Sequence, residues 1–155
     1  MDAQFDARGK PVPLSFQKAV YDFARQTGLD AEALFQGNAL EHEGTHFWLR
    51  HFGDDDTNGL TVQMDIGQAP PDDQSVVAMT YPLLQSHLSM PPAVFGYYAY
   101  LPELNRLVHC TRIALDEVED GAGAITAAIQ VRAMLLAGAR IEAAKTLPMT
   151  QGAAS

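Results

Sequence analysis

A single cysteine, Cys110, stands among 155 residues, so no internal disulfide can form and a reducing compartment suits the chain. With Val108 and Thr111 close by, it reads as a buried inert thiol rather than a nucleophile. Basic residues are also scarce: ten Lys and Arg face 19 Asp and Glu, which gives a formal charge of -9. A surface of this sign repels phosphate backbones and anionic lipid, which argues against nucleic acid and membrane surfaces as partners. It leaves plain solubilisation or a basic protein partner as the use of the surplus. Long apolar runs are missing too. The most apolar late stretch, 122–139, is interrupted by Gln130 and Arg132, and the opening MDAQFDARGK lacks the apolar core of a secretion signal. Cytoplasmic residence is therefore expected.

Catalytic constellations are equally sparse. There is no G-x-S-x-G, no Cys/His pair at a recognisable spacing, no phosphate-cradling glycine loop and no conspicuous carboxylate pair. No enzyme activity and no cofactor are expected on that ground. One pattern stands against this, His42-Glu43-Gly44-Thr45-His46, the H-E-x-x-H arrangement that on a helix presents two imidazoles to zinc with the Glu as general base. A zinc-dependent metallopeptidase is thus the alternative reading. Its helix is poorly supported, because Gly44 costs about 1 kcal/mol relative to Ala in a helix interior and the Phe47-Trp48-Leu49 that follows favours strand. In a strand the two histidines would lie more than about 12 Å apart, too far for one ion. The same letters read better as a turn at Glu43-Gly44 opening into a strand. Thr45, Phe47, Leu49 and His51 then point one way, and His46, Trp48, Arg50 and Phe52 the other.

With 47% apolar and 19% charged residues, the chain is one globular domain with its own core. Residues 1–13 read as a flexible lead-in, 14–145 as the domain and 146–155 as a flexible tail. Ser15 is a suitable N-cap for a helix carrying Phe16, Val20, Phe23, Ala24 and Thr27 and ending at Gly28. Phe16 and Phe23 serve either the core or a partner-binding face. A short helical turn starts near Asp30. Gly53 to Gly59 is a polar turn whose three aspartates lack the spacing and the terminal Glu of a calcium loop. Leu60, Val62, Met64 and Ile66 alternate with polar residues as a half-buried strand.

Pro70-Pro71-Asp72-Asp73 starts a helix running to about Leu88, which Pro82 should bend or shorten. Its apolar arc, Val76, Met79, Leu83 and Leu84 with Val77, Tyr81 and Leu88 on the flank, is wider than one core contact requires. Residues 94–101 and 106–115 form a second hairpin, with Tyr97, Tyr98 and Tyr100 covering both faces of its first arm. Acids at 116–120 open a last helix whose stripe is Ile125, Ile129, Ala133 and Leu136. The order α-βββ-α-ββ-α defines an α+β domain, an antiparallel sheet covered by helices.

Several stretches together carry a resemblance. The helix Phe16 to Gly28, the strand set Thr45 to Gly67, and the helix end Leu83-Leu84-Gln85-Ser86-His87-Leu88 followed by the strand-turn-strand Phe95 to Leu115 are similar to the class I type III secretion chaperones, the CesT/Tir chaperone family. The match extends over about Leu14 to Lys145, with His87 standing where that family pattern has Asn and Pro82 a further departure. The resemblance implies a homodimer that binds the amino-terminal segment of a secreted effector in extended form. An extended segment can add a strand to a sheet edge and needs no chemistry to do so. By position, Val76, Met79, Leu83, Leu84 and Tyr98 fall to the dimer interface. Phe16, Val20, Phe47 and Leu49 fall to effector contact, with core packing as the alternative for each.

Overall fold

In the computed structural model of the chain, the described residues are 5–6, 8–89 and 96–131. The elements run α1 (Leu14–Thr27), α2 (Ala31–Phe35), β1 (Leu40–His42), β2 (Thr45–Arg50), a 3-10 turn (Gly53–Asp55), β3 (Gly59–Gln68), α3 (Asp73–Ser89), β4 (Tyr97–Leu101) and β5 (Arg106–Ala114), followed by a helical segment over 121–131. The expected order is the observed one, with α2 as the short turn anticipated at Asp30. All five strands form one antiparallel sheet in the order β1-β2-β3-β5-β4. Ala133 and Leu136 of the expected last-helix stripe, and the expected tail, lie outside the described residues.

Local chemistry sets most boundaries. Gly28 ends α1 in the left-handed region at φ 76°, its N–H donating to the Ala24 carbonyl, as a C-terminal glycine should. Asp30 caps α2 by accepting the Glu32 N–H at 3.0 Å, and Asp72 receives the Ser75 N–H at 2.7 Å at the start of α3. Ser15 corrects the expectation. The cap position is Pro13, whose fixed φ suits a helix entry, and the Ser15 hydroxyl instead donates to the Thr57 carbonyl at 2.9 Å. Pro82 does not end α3. The helix continues to Ser89, leaving the Ala78 carbonyl without its intrahelical donor.

Alternation along the strands assigns the two faces. Cross-strand partners share a face, so Leu40, Phe47, Met64 and His109 stand together, as do Leu49, Val62 and Thr111. This face meets Phe16, Ala19, Val20 and Phe23 of α1, Leu34 and Phe35 of α2, and Ala122, Ile125 and Ile129 of the 121–131 segment in one core. Phe23 sets its ring edge-on to Phe47, centroids 5.8 Å apart. Gly121 lies so near α1 that a Cβ there would sit 3.0 Å from that of Ala19, which is why the last helix begins on small residues. The opposite face carries Trp48, Gln63, Cys110 and Tyr97, one from each of four neighbouring strands.

Candidate interaction surface

The H-E-x-x-H letters are divided by a turn. Glu43 and Gly44 take positive φ, 52° and 76°, and close a two-residue hairpin in which His42 pairs with Thr45 and Glu41 with His46. Thr45 and His46 are consecutive, so His42 and His46 project from opposite faces of the sheet. His42 turns inward, its ring 5.9 Å from that of Phe23, while His46 faces solvent beside Glu41. One metal ion cannot reach both. Among the described residues no three His, Cys, Asp or Glu side chains gather into a metal-binding group.

Cys110 is buried, and burial raises its thiol above the ordinary range, which keeps it protonated. The Gln63 amide donates to its sulfur at 3.6 Å and the Trp48 indole donates to the same glutamine. The thiol is held as a packing group, as expected.

The four residues expected to meet an effector are core residues. Phe16, Val20 and Phe47 are 0% exposed and Leu49 is 2% exposed, so in this fold none offers surface to a partner. The physical reason is that one apolar face per element is all that α1 and β2 possess, and the sheet consumes it. The exposed apolar side chains of those elements and their ends are Leu14, Tyr21 and Phe52.

Helix α3 behaves differently. Among the described residues it contributes no side chain to the buried core that α1, α2 and the sheet share. Val77 is 54%, Tyr81 67% and Leu84 56% exposed, and their i, i+4, i+7 spacing makes one continuous apolar stripe. Of the residues expected at a dimer interface, Leu84 lies on this stripe, while Val76, Met79, Leu83 and Tyr98 are half-buried beside it. Val77 and Tyr81, assigned to the flank from sequence, stand in solvent with Leu84, Tyr81 the most accessible of the three. Periodicity places all of these on one helix, but it cannot say which part of a wide arc faces inward. Tyr97 and Tyr100 on β4 add exposed aromatic surface on the two faces of an edge strand. Among the described residues the other sheet edge, β1, has no strand beyond it.

No family model matches the chain, and no curated protein matches it. Among solved structures, a chain of the HopA1-SchA chaperone-effector complex aligns over 81% of this chain and 92% of its own length, with a TM-score of 0.55 at 10% identity. The two share a fold. A chain of the Yersinia pestis type III secretion chaperone SycH, in complex with a stable fragment of YscM2, aligns over 84% of this chain and 98% of its own, with a TM-score of 0.43 at 14% identity. The α+β fold expected from the resemblance to class I secretion chaperones is the fold observed.

Proposed function

We propose that the chain is a non-catalytic, homodimeric chaperone of the bacterial cytoplasm that takes the amino-terminal segment of a type III secreted effector in extended form and keeps it soluble and secretion-competent. The observation that carries this reading is the fold shared with a chain of the HopA1-SchA chaperone-effector complex. The surface supports it independently. A helix that leaves Val77, Tyr81 and Leu84 in water spends apolar area that a monomer would hide, and self-association through α3, with Tyr98 and its strand beside it, removes that area from solvent. The open β1 edge offers a row of backbone donors and acceptors to an extended segment. With Phe16, Val20, Phe47 and Leu49 in the core, apolar contact to such a segment passes to Leu14, Tyr21 and Phe52.

Among the described residues no helix is long and apolar enough to cross a membrane. The zinc reading gains nothing from the structure, since the hairpin turn separates its two ligands. Co-expression of the untagged chain with the product of the neighbouring gene, followed by size-exclusion chromatography with light scattering, tests the proposal. The chain alone should run at about twice its 16.8 kDa mass, and a secreted-effector partner should co-elute with it. A monomer that binds no such partner would overturn the reading.

A further inference from the structure

Helix α3 meets edge strand β4 through one imidazole. His87 Nε2 accepts the backbone N–H of Tyr98 at 3.0 Å. The His87 ring also lies nearly parallel on the Tyr98 ring, centroids 5.5 Å apart and planes 14° apart. Behind the tyrosine stands His109 of β5, edge-on at 5.2 Å, fully buried and with its Nε2 lacking a hydrogen-bond partner. The Tyr98 amide goes to an imidazole rather than to β5, so it points to the outer side of the sheet, where an edge strand ordinarily leaves its donors open. Gly96 closes the arrangement from below: a Cβ there would sit 2.5 Å from the His109 ring and 2.4 Å from the Cys110 carbonyl.

We propose that His87 is a proton-operated latch that fixes the end of helix α3 on strand β4 while its Nε2 is unprotonated and releases it on protonation. An accepting Nε2 carries no hydrogen, so the neutral ring bears its proton on Nδ1. A proton added to Nε2 sets two N–H donors against each other. The face of Tyr98 attracts a cation, but the ring must turn off the amide to relieve the donor contact, and turning breaks the parallel stack. The charged groups around the latch are few. His109 faces it through Tyr98, no carboxylate among the described residues forms an ion pair with His87, and the sequence 88–95 carries no ionisable side chain. Burial, reinforced by the charge of His87 when protonated, lowers His109 to about 4, so His109 carries no charge toward the latch near neutral pH. The inference concerns the monomer and stands whether or not α3 forms a dimer seam.

Amide hydrogen exchange measured by NMR tests it, with the Tyr98 protection factor read against Val62 in central β3. Between a neutral pH and an acidic pH at which Val62 keeps its protection, the Tyr98 amide should lose roughly tenfold protection, the worth of one hydrogen bond. His87→Ala should lose the Tyr98 protection at both pH values. His87→Gln, whose side-chain carbonyl accepts from the same place and does not titrate, should hold it at both. Unchanged Tyr98 protection in a folded His87→Ala, or a pH dependence that survives in His87→Gln, would overturn the latch. If His87→Ala fails to fold, the comparison of His87→Gln with the parent chain decides.

Discussion

His51 Nε2 lies 3.1 Å from Asp6 Oδ2, with both side chains almost wholly out of water, and the pair pins the leading segment to the end of β2. The His51 tautomer follows from its other nitrogen, because Nδ1 accepts the Gly53 N–H at 3.2 Å, which leaves the proton on Nε2, facing the Asp6 carboxylate without an aligned hydrogen bond. Asp6 gathers more than this one contact. Its Oδ1 accepts the backbone N–H groups of Arg8 and Lys10 at 2.9 and 3.0 Å, and the Arg8 guanidinium closes on Oδ2. Burial alone would raise this carboxyl, yet those donors hold it at about 2. Phe5 and Pro11 pair across the turn so formed.

Asp6→Ala should therefore destabilise the chain by about 2–4 kcal/mol, because two backbone donors and the Arg8 guanidinium lose their acceptor and a buried imidazole loses the carboxylate it faces. Urea denaturation at neutral pH measures it. A loss below about 0.5 kcal/mol, the range of ordinary surface changes, would mean that the leading segment contributes no stability.

Acid should weaken the fold in two stages. His109 sits at about 4 in the folded chain against 6.5 unfolded, and burial lowers His51 in the same direction. Between those values the unfolded state binds more protons, so the contribution of the histidines is complete above about pH 6.5 and is lost as pH falls toward 4, on the order of 3 kcal/mol for His109. Asp6 acts lower. Its folded value of about 2 lies below the ordinary 3.8, so its contribution is present above that range and disappears as pH falls through about 2. Urea midpoints across this range should fall steadily from about pH 6.5 to 4, and His109→Leu should flatten that part of the curve. An unchanged slope in the variant would show that His109 is protonated in the folded chain.

Glu43 is a non-glycine residue at φ 52° in a hairpin turn that wants positive φ at both positions. Replacing it with Asn, which tolerates that region, should stabilise the chain by about 0.5 kcal/mol. A thermal-denaturation shift in the opposite direction would assign the Glu43 carboxylate a stabilising role that outweighs its backbone strain.

Much of this was legible in the sequence because it rests on short-range rules. The Glu43-Gly44 turn, the inward parity of Thr45, Phe47 and Leu49, the glycine stop after α1 and the division of the strands into three and two all follow from periodicity and turn chemistry. What escaped depends on contacts between distant residues. Nothing local marks Asp6 as the acceptor for a turn that docks on His51, far along the chain. For a related reason the choice between core and effector contact stayed open for Phe16, Val20, Phe47 and Leu49: they lie on real apolar faces, but only the assembled sheet shows that α1 and β2 spend those faces on each other. On α3 the reverse holds, since a broad apolar arc supplies none of the buried core among the described residues and leaves Val77, Tyr81 and Leu84 in solvent.

That contrast yields the test that separates folding from assembly. Phe47→Ala removes a ring that fills the core against Phe23 and Met64, and should cost about 3–5 kcal/mol of stability, lowering the urea midpoint sharply. Tyr81→Ala combined with Leu84→Ser removes side chains that already stand in water, so stability of the isolated chain should move by no more than about 0.5 kcal/mol. Self-association should respond in the opposite order: light scattering should find the α3 variant as a folded monomer at concentrations where the parent chain is a dimer. If that variant stays dimeric with an unchanged midpoint, the seam lies elsewhere, and the exposed tyrosines of β4, Tyr97 and Tyr100, become the next pair to remove.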